Sequence, residues 1–342
     1  MSDMTKDRGR SKFGKRPLVI PKAVKRLTPA QRSKVVALVR SAADLDGVAP
    51  LSEQALLAVR NEPHAGAGSD TTGTLHLLAY AGSRLQGYAH LDRGASDKAT
   101  AELVVHPSYR RRGVATALVH ALEGAVSTVI VPAQTLQVWS HGDLDEAHDV
   151  ARRGGYQIVR ELWQMRRSLR PDSMALPEVS LPEGFSARHF VVGQDEEAWL
   201  RLNARAFVNH PEQGRMTRSD LDRRMAEPWF DPQGLILIEN TSGPETRLAA
   251  SHWTKVVLPD DETLRPTEGE VYVVAVDPEY QGLGLGRSVT ILGLVHLQDR
   301  GLVDAMLYVD ADNLAAVTTY TRLDFVRSAV DIMYSLTVHT AV

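Results

Sequence analysis

One offset recurs along this chain of 342 residues. Pro107 and Pro278 lie 171 residues apart, as do Tyr109 and Tyr280, and Gly113 and Gly284. A spacing shared by several positions marks a duplicated unit, so the chain must fold as two copies of one supersecondary arrangement. In the first copy AELVVHP (101–107) runs into SYRRRGVA; in the second EVYVVAVDP (270–278) runs into EYQGLGLG. Residues 271–276 are β-branched and aromatic, which suits a strand. A proline then ends it, because proline cannot donate to a ladder. Val114, Ala117, Leu118, Ala121, Leu122 and Ala125 follow at helical period in one copy. Leu285, Val289, Leu292 and Val295 do so in the other, with Gly301 as the stop. Strands mixed with helices make each half α/β, or α+β with a mixed sheet.

Residues 171–184 (PDSMALPEVSLPEG) hold three prolines and a glycine between periodic regions, and read as a linker. The expected organisation is a flexible basic tail over 1–22, a first domain over 23–170, that linker, and a second domain over 185–342. Two separate central sheets are expected, with a break at the linker. Thr28 and Gln31 form a capping-box pattern, so ordered structure should start near Leu27.

The strand–loop–helix junction carries the chemistry. A helix start exposes unpaired N–H groups and a partial positive charge, and glycine lets a ligand come close. These are the elements of a pyrophosphate site. Neither loop has the Gly-Lys-Ser/Thr of a P-loop, and Gly282, Gly284 and Gly286 miss the final spacing of a dinucleotide fingerprint. One such loop alone would read as a packing turn; two at one offset favour phosphate binding.

Val105, Pro107, Arg110, Gly113 and Ala115, with Val276, Pro278, Gln281, Gly284 and Gly286, fit V-x-P-x-x-[RQ]-x-x-G-x-[GA]. This resembles the acetyl-CoA motif of the GNAT acetyltransferase superfamily. The resemblance implies two tandem GNAT domains, each with a strand splayed from its neighbour to admit the pantetheine arm. It implies acetyl-CoA contacts from Leu103, Val104, Val105, Arg111, Arg112, Gly113, Val114, Ala115 and Thr116 in the first half. In the second it implies Val274, Ala275, Val276, Gln281, Gly282, Leu283, Gly284, Leu285, Gly286 and Arg287. Asn313, Leu314, Ala315, Ala316, Val317 and Thr318, ahead of Tyr320 and Phe325, resemble the later acetyl-CoA segment. Asp324 stands where the superfamily usually has glycine, and Gly282-Leu283 where it usually has a basic residue. Arg153-Gly154-Gly155-Tyr156 resembles only the end of that later segment.

Segments outside the motif (46–53, 210–214, 229–237 and 252–256) resemble a tandem branch of the superfamily. Its acceptor is the cysteinyl amine of an inositol–glucosamine–cysteine precursor, a small-molecule thiol. Acetyl transfer needs a proton acceptor for the ammonium, donors for the oxyanion and a proton for the leaving thiolate. The resemblance assigns these to Glu270 as base, the N–H of Val274 or Val276 as oxyanion donor, and Tyr320 as acid. Without it, Glu270 reads as a solvent-facing strand end and Tyr320 as a core aromatic. Glu53, Glu212, Lys255, Glu270 and Tyr308 are the implied acceptor contacts. Glu102 lies three residues before Val105 and Glu270 six before Val276. Strand alternation then predicts that the two carboxylates face opposite ways. The second half is therefore expected to carry the chemistry. The alternatives are a tandem acetyltransferase for another amine and a CoA-binding regulatory module without turnover.

Composition narrows the field. The chain has no cysteine, which removes an acyl-cysteine intermediate and thiolate metal sites and leaves direct transfer in a ternary complex. Twelve histidines show no metal-binding spacing, so no metal is expected. A net charge of −3 gives no global field for nucleic acid or anionic membrane. No run approaches the ~18 apolar residues of a membrane span. A cytoplasmic monomer is expected.

Overall fold

The computed structural model describes residues 19–60, 73–93, 98–127, 133–208, 211–256 and 266–339. The first half comprises β1 (Lys22–Val24), α1 (Pro29–Asp46), α2 (Glu53–Arg60), β2 (Thr74–Ala81), β3 (Arg84–Asp92), β4 (Lys98–Val105), α3 (Val114–Ser127), β5 (Ala133–Ser140), α4 (Asp145–Gly154) and β6 (Gln157–Ser168). In the second lie β7 (Phe185–His189), α5 (Glu196–Ala206), α6 (Pro211–Gly214), α7 (Arg218–Met225), β8 (Leu235–Asn240), β9 (Arg247–Lys255), β10 (Glu268–Val276), α8 (Leu285–Asp299), β11 (Asp304–Asp310), α9 (Leu314–Thr321) and β12 (Val326–His339). The Thr28–Gln31 capping box forms at the start of α1. Order begins earlier than expected, because Lys22–Val24 pairs with β2 as an edge strand. Most of the basic tail, residues 1–18, lies outside the described residues.

The expectation of two separate sheets is corrected. The strands of the described residues form one twelve-stranded sheet, ordered β1-β2-β3-β4-β5-β12-β6-β11-β10-β9-β8-β7. Among the described residues only β4/β5 and β10/β11 pair in parallel. The order reads the same from both edges once the halves are matched, so a pseudo-twofold axis passes between β12 and β6. The closing strands of the two halves are exchanged: β12 pairs with β5, and β6 pairs with β11. Their side chains follow them. Met165 on β6, with Leu169 just beyond it, joins the second-half core with Ile291 and Leu294. Ile332 and Tyr334 on β12 join the first-half core with Leu118 and Leu122. Each buried aliphatic side chain of this kind contributes about 1.5–3 kcal/mol. Such a pairing joins residues far apart in sequence, so neither prolines nor local periodicity reveals it.

Residues 171–184 contain no strand, yet they are a packed strap rather than a free tether. Leu176 and Val179 lie against the second-half core. Ser288 Oγ donates to Ser180 O at 2.9 Å, and Arg167 Nη2 donates to Met174 O at 2.6 Å.

Helices cover both faces of the sheet. On the front, α1 and α2 bury Val35, Leu38 and Ala55 against Leu78 and Tyr88. Trp199 on α5 and Leu221 on α7 pack there against Trp253. On the back, α3 and α8 carry the periodic residues read from the sequence, joined by α4 and α9.

Candidate active site

Each half opens its sheet at one place. β4 pairs with β5 only over residues 98–102, and β10 with β11 only over 268–271. Residues 103–105 and 272–276 then diverge from their parallel neighbour. Asp277 donates its N–H to Ala249 O at 2.9 Å. Strand alternation turns the N–H groups of Val274 and Val276 to the other edge, into the opening.

The loops after these strands match in backbone as well as in offset. Gly282 and Gly284 have φ of +81° and +79°; Arg111 and Gly113 have +60° and +84°. Arg111 therefore takes the left-handed conformation that glycine takes in the second half, at a steric cost. Gly284 starts α8 with no side-chain cap, leaving the first-turn N–H groups directed outward. A Cβ on Gly286 would meet Val276 at 3.5 Å, while Gly284 has open space. In the first half a cavity of about 280 Å³ is lined by Leu103, Val104, Val105, Arg111, Gly113, Val114, Ala115 and Thr116. Arg112 lies over the Tyr109 ring, 5.5 Å from its centre. Arg110 forms a two-point ion pair with Asp46 at 2.6 and 2.7 Å, tying the loop to α1. Residues 313–318 form the start of α9, where the Asn313 side chain accepts from Ala316 N at 3.2 Å. Open backbone donors beside a splayed strand fit a pyrophosphate with a pantetheine arm.

The carboxylates are where the sequence reading needs correction. Through the strand register, Glu102, Trp139, Met333, Arg160, Gln164, Tyr308, Met306 and Glu270 share the front face. Glu102 and Glu270 thus point the same way. The cause is a bulge in β10: Val271 stands opposite Thr254 and Val273 opposite Trp253, so Tyr272 is an extra residue. One inserted residue reverses the parity of everything before it.

Glu270 sits opposite Lys255 in the ladder. Burial pushes its carboxyl up from 4.5 to about 7; Lys255 opposes this, while Glu53 and Glu268 add to it. Lys255 is buried, donates to Glu53 Oε2 at 2.7 Å, and lies 5.1 Å from the Trp229 ring centre and 5.3 Å from that of Tyr272. Burial alone would lower its pKa, but Glu53 and Glu270 raise it above the ordinary value, so it stays an ammonium. Glu53 reaches it from α2, across the two halves. Tyr308 is 45% exposed on the front face and accepts a hydrogen bond from Gln164 Nε2 at 3.3 Å. The side chain of Glu212 lies outside the described residues. Trp229 and Tyr272, which box in Lys255, were not singled out as site residues; the WFDP segment and the aromatic on β10 were the available signals.

Glu102 is engaged differently. Its carboxylate accepts from Ser52 N and Ser52 Oγ, both at 2.6 Å, and from His141 Nε2 at 3.3 Å. Burial works against ionisation, yet these bonds hold it below the usual carboxylate range. It is a satisfied anion rather than a base.

Tyr320 is 9% exposed within the back-face core beside Leu323 and Phe325. Burial pushes its phenol up to about 12. Phe325 N donates to Tyr320 O at 3.1 Å, and Tyr156 N donates to Ala151 O at 3.0 Å. The residues just before these aromatics, Asp324 and Gly155, both take positive φ. Tyr156 is therefore the first-half counterpart of Phe325, and the position of Tyr320 is held there by Ala151. The first half has no phenol at this point.

Two openings, each followed by a left-handed loop that leads into a helix, define a GNAT acetyltransferase in tandem. A family model described as an acetyltransferase (GNAT) domain matches residues 72–157, and the acetyltransferase (GNAT) family model matches residues 216–325. The chain belongs to the mycothiol acetyltransferase family. It is 49% identical to the mycothiol acetyltransferase of Thermomonospora curvata over 90% of this chain and 94% of that one. Against that of Geodermatophilus obscurus the identity is 48%, over 93% and 97%. Among solved structures, a GCN5-related N-acetyltransferase from Sphaerobacter thermophilus matches with a TM-score of 0.70 at 21% identity, covering 95% of this chain and 97% of that one. A tandem GNAT protein from the clavulanic acid biosynthesis pathway matches at 0.66 and 16%, covering 95% and 99%. These two establish the fold. Among the described residues no helix is long and apolar enough to cross a membrane, and no His/Cys/Asp/Glu group suits a metal ion.

Proposed function

We propose that this protein transfers the acetyl group of acetyl-CoA to the cysteinyl amine of 1D-myo-inositol 2-(L-cysteinylamino)-2-deoxy-α-D-glucopyranoside, giving mycothiol by direct attack within a ternary complex. The observation that carries this reading is Glu270: a carboxylate poised near pH 7 beside the opening between β10 and β11. Family membership supplies the acceptor.

In this scheme residues 281–287 and the first turn of α8 hold the pyrophosphate through backbone N–H groups, with α9 beside them. The thioester carbonyl lies at the edge of residues 274–276, where the N–H of Val274 or Val276 stabilises the oxyanion. Glu270 accepts the ammonium proton, directly or through water, and the freed amine attacks the carbonyl carbon. Attack leaves one surplus proton on the nitrogen of the tetrahedral adduct; collapse breaks the C–S bond, and that proton passes to the departing CoA thiolate, which leaves as the thiol. A phenol near 12 is a poor outright donor to a thiolate of ordinary pKa ~8.5, so Tyr320 stabilises the departing sulfur by donating a hydrogen bond. Lys255, Glu53, Glu212 and Tyr308 hold the acceptor. The first half keeps the loop and cavity but has Ala151 for the phenol and a committed Glu102, so it binds a CoA-like ligand without turning it over.

The test is incubation with acetyl-CoA and a panel of amines, reading free CoA thiol and acetylated product. The cysteinyl pseudodisaccharide should turn over far faster than simple amines. Preference for an unrelated amine overturns the acceptor assignment, and turnover of none overturns the reading as an enzyme.

A further inference from the structure

The strand exchange builds a surface that neither half has alone. On the front face, α1 packs on β3 and β4, and α5 packs on β9 and β10. Between them lie β5, β12, β6 and β11. Beside Trp139, Met333, Leu162 and Met306, these strands present polar side chains that are already fixed in place. Arg160 Nε pairs with Asp310 Oδ1 at 2.5 Å and lies 5.4 Å from the Trp139 ring centre. Gln164 meets Tyr308, and Arg166 pairs with Glu268.

At the far side from Glu270, Asp331 on β12 accepts from His141 Nδ1 at 3.0 Å and from Gly142 N at 3.0 Å. His141 spans Asp331 and Glu102 and is 13% exposed at its side chain. Burial would lower its pKa, but the hydrogen bonds to Asp331 and Glu102 raise it to about 9, so it bridges them as an imidazolium. Each Asp331 oxygen has one such partner and keeps lone-pair capacity for a further donor. Asp331 pairs with Leu162, Leu162 with Asp310, and Met306 with Glu270. Counting three strand spacings across and four residues along, the Asp331 and Glu270 backbones are roughly 20 Å apart, and their side chains close part of that. An acceptor laid along the front face with its amine at Glu270 would meet Asp331 if it extends across β11, β6 and β12.

We propose that Asp331 accepts hydrogen bonds from hydroxyls of the acceptor's distal cyclitol ring, and that His141 is the positioning residue that holds this carboxylate. The inference rests on the acetyl-transfer reading above and adds the group that measures the acceptor's length. Asp331 belongs to the second half in sequence, whereas His141, Gly142 and Glu102 belong to the first, so the subsite exists only because β12 crosses over.

The experiment compares two acceptors, the full cysteinyl pseudodisaccharide and cysteinyl-glucosamine lacking the cyclitol. Wild-type protein should favour the full acceptor at least tenfold in kcat/KM. Asp331→Asn should raise KM for the full acceptor about 10-fold or more, consistent with loss of a charged hydrogen bond. It should leave kcat, KM for acetyl-CoA, and KM for the truncated acceptor near wild type. His141→Gln should shift the same parameter in the same direction, and Asp331→Glu should recover part of it. Equal shifts for both acceptors, or none, overturn this inference while acetyl transfer stands. Equal use of the two acceptors by wild type overturns it without any variant. Silence on both acceptors overturns the proposed function as well.

Discussion

At the scale of single residues the proposed reaction rests on Glu270 and Tyr320 of the second half. Glu270 rises from 4.5 to about 7 on folding, so its basic form fills in only as pH climbs through that value. The free-enzyme profile of kcat/KM should therefore fall tenfold per unit below about 7, and Glu270→Gln should lose that limb and about 10²–10⁴-fold in rate. Lys255 opposes the rise and Glu53 adds to it. Lys255→Met should move the limb to higher pH and Glu53→Gln to lower pH; an unmoved limb in both would detach this carboxylate from the profile. Stability has the opposite sign. Between 4.5 and about 7 the folded chain keeps a proton that the unfolded chain has released, so this residue's contribution to folding is lost as pH rises across that window. Tyr320→Phe should slow turnover about 10²-fold through loss of one donor to the departing sulfur, while Tyr156→Phe leaves turnover intact. Equal effects in steady-state assays would contradict the assignment. Both residues were assigned from the sequence through resemblance. Their environments were not, because the charges that act on a buried carboxyl come from neighbours such as Glu53, 217 residues away.

The elements divide by whether their signal is local. The strand–proline–glycine loop–helix units were readable because turn glycines and helical period act within about ten residues. Their matched left-handed φ values and matched divergence from the parallel neighbour follow directly. The bulge at Tyr272 was not readable: nothing in EVYVVAV marks which residue is unpaired, and the register of β9 decides it. That one residue turned Glu102 and Glu270 from opposite faces to the same face. The exchange of β6 and β12 was hidden for a similar reason, since each strand's pattern suits either neighbour. It can be trapped in a chain that has no cysteine of its own. Thr135 and Thr337 are ladder partners across β5 and β12. A Thr135→Cys/Thr337→Cys variant should form an intrachain disulfide on mild oxidation, seen by mass and by faster migration without reductant. Free thiols at both sites under those conditions would contradict the exchange.

For the whole molecule, duplication supplies two openings in the sheet and exchange supplies the face between them, on which the acceptor is proposed to lie. The halves are then free to differ. The first retains an open cavity and a strained Arg111 loop, yet places Ala151 where the second has Tyr320 and commits Glu102 to Ser52 and His141. The second keeps the glycine-rich loop, the poised carboxylate and the phenol. The inequality of the halves was argued from the sequence; its structural basis lies in partners that only the folded sheet brings together. The measurement that bears on this most directly is steady-state acetyl transfer to the cysteinyl pseudodisaccharide by Gly113→Val and Gly284→Val, each checked for folding by circular dichroism. Both glycines hold positive φ, +84° and +79°, so valine strains each loop alike. Gly284→Val should abolish turnover, and Gly113→Val should retain it with lower ligand occupancy or stability in the first half. A folded Gly113→Val that is dead, beside a Gly284→Val that still turns over, would contradict the assignment of the chemistry to the second half.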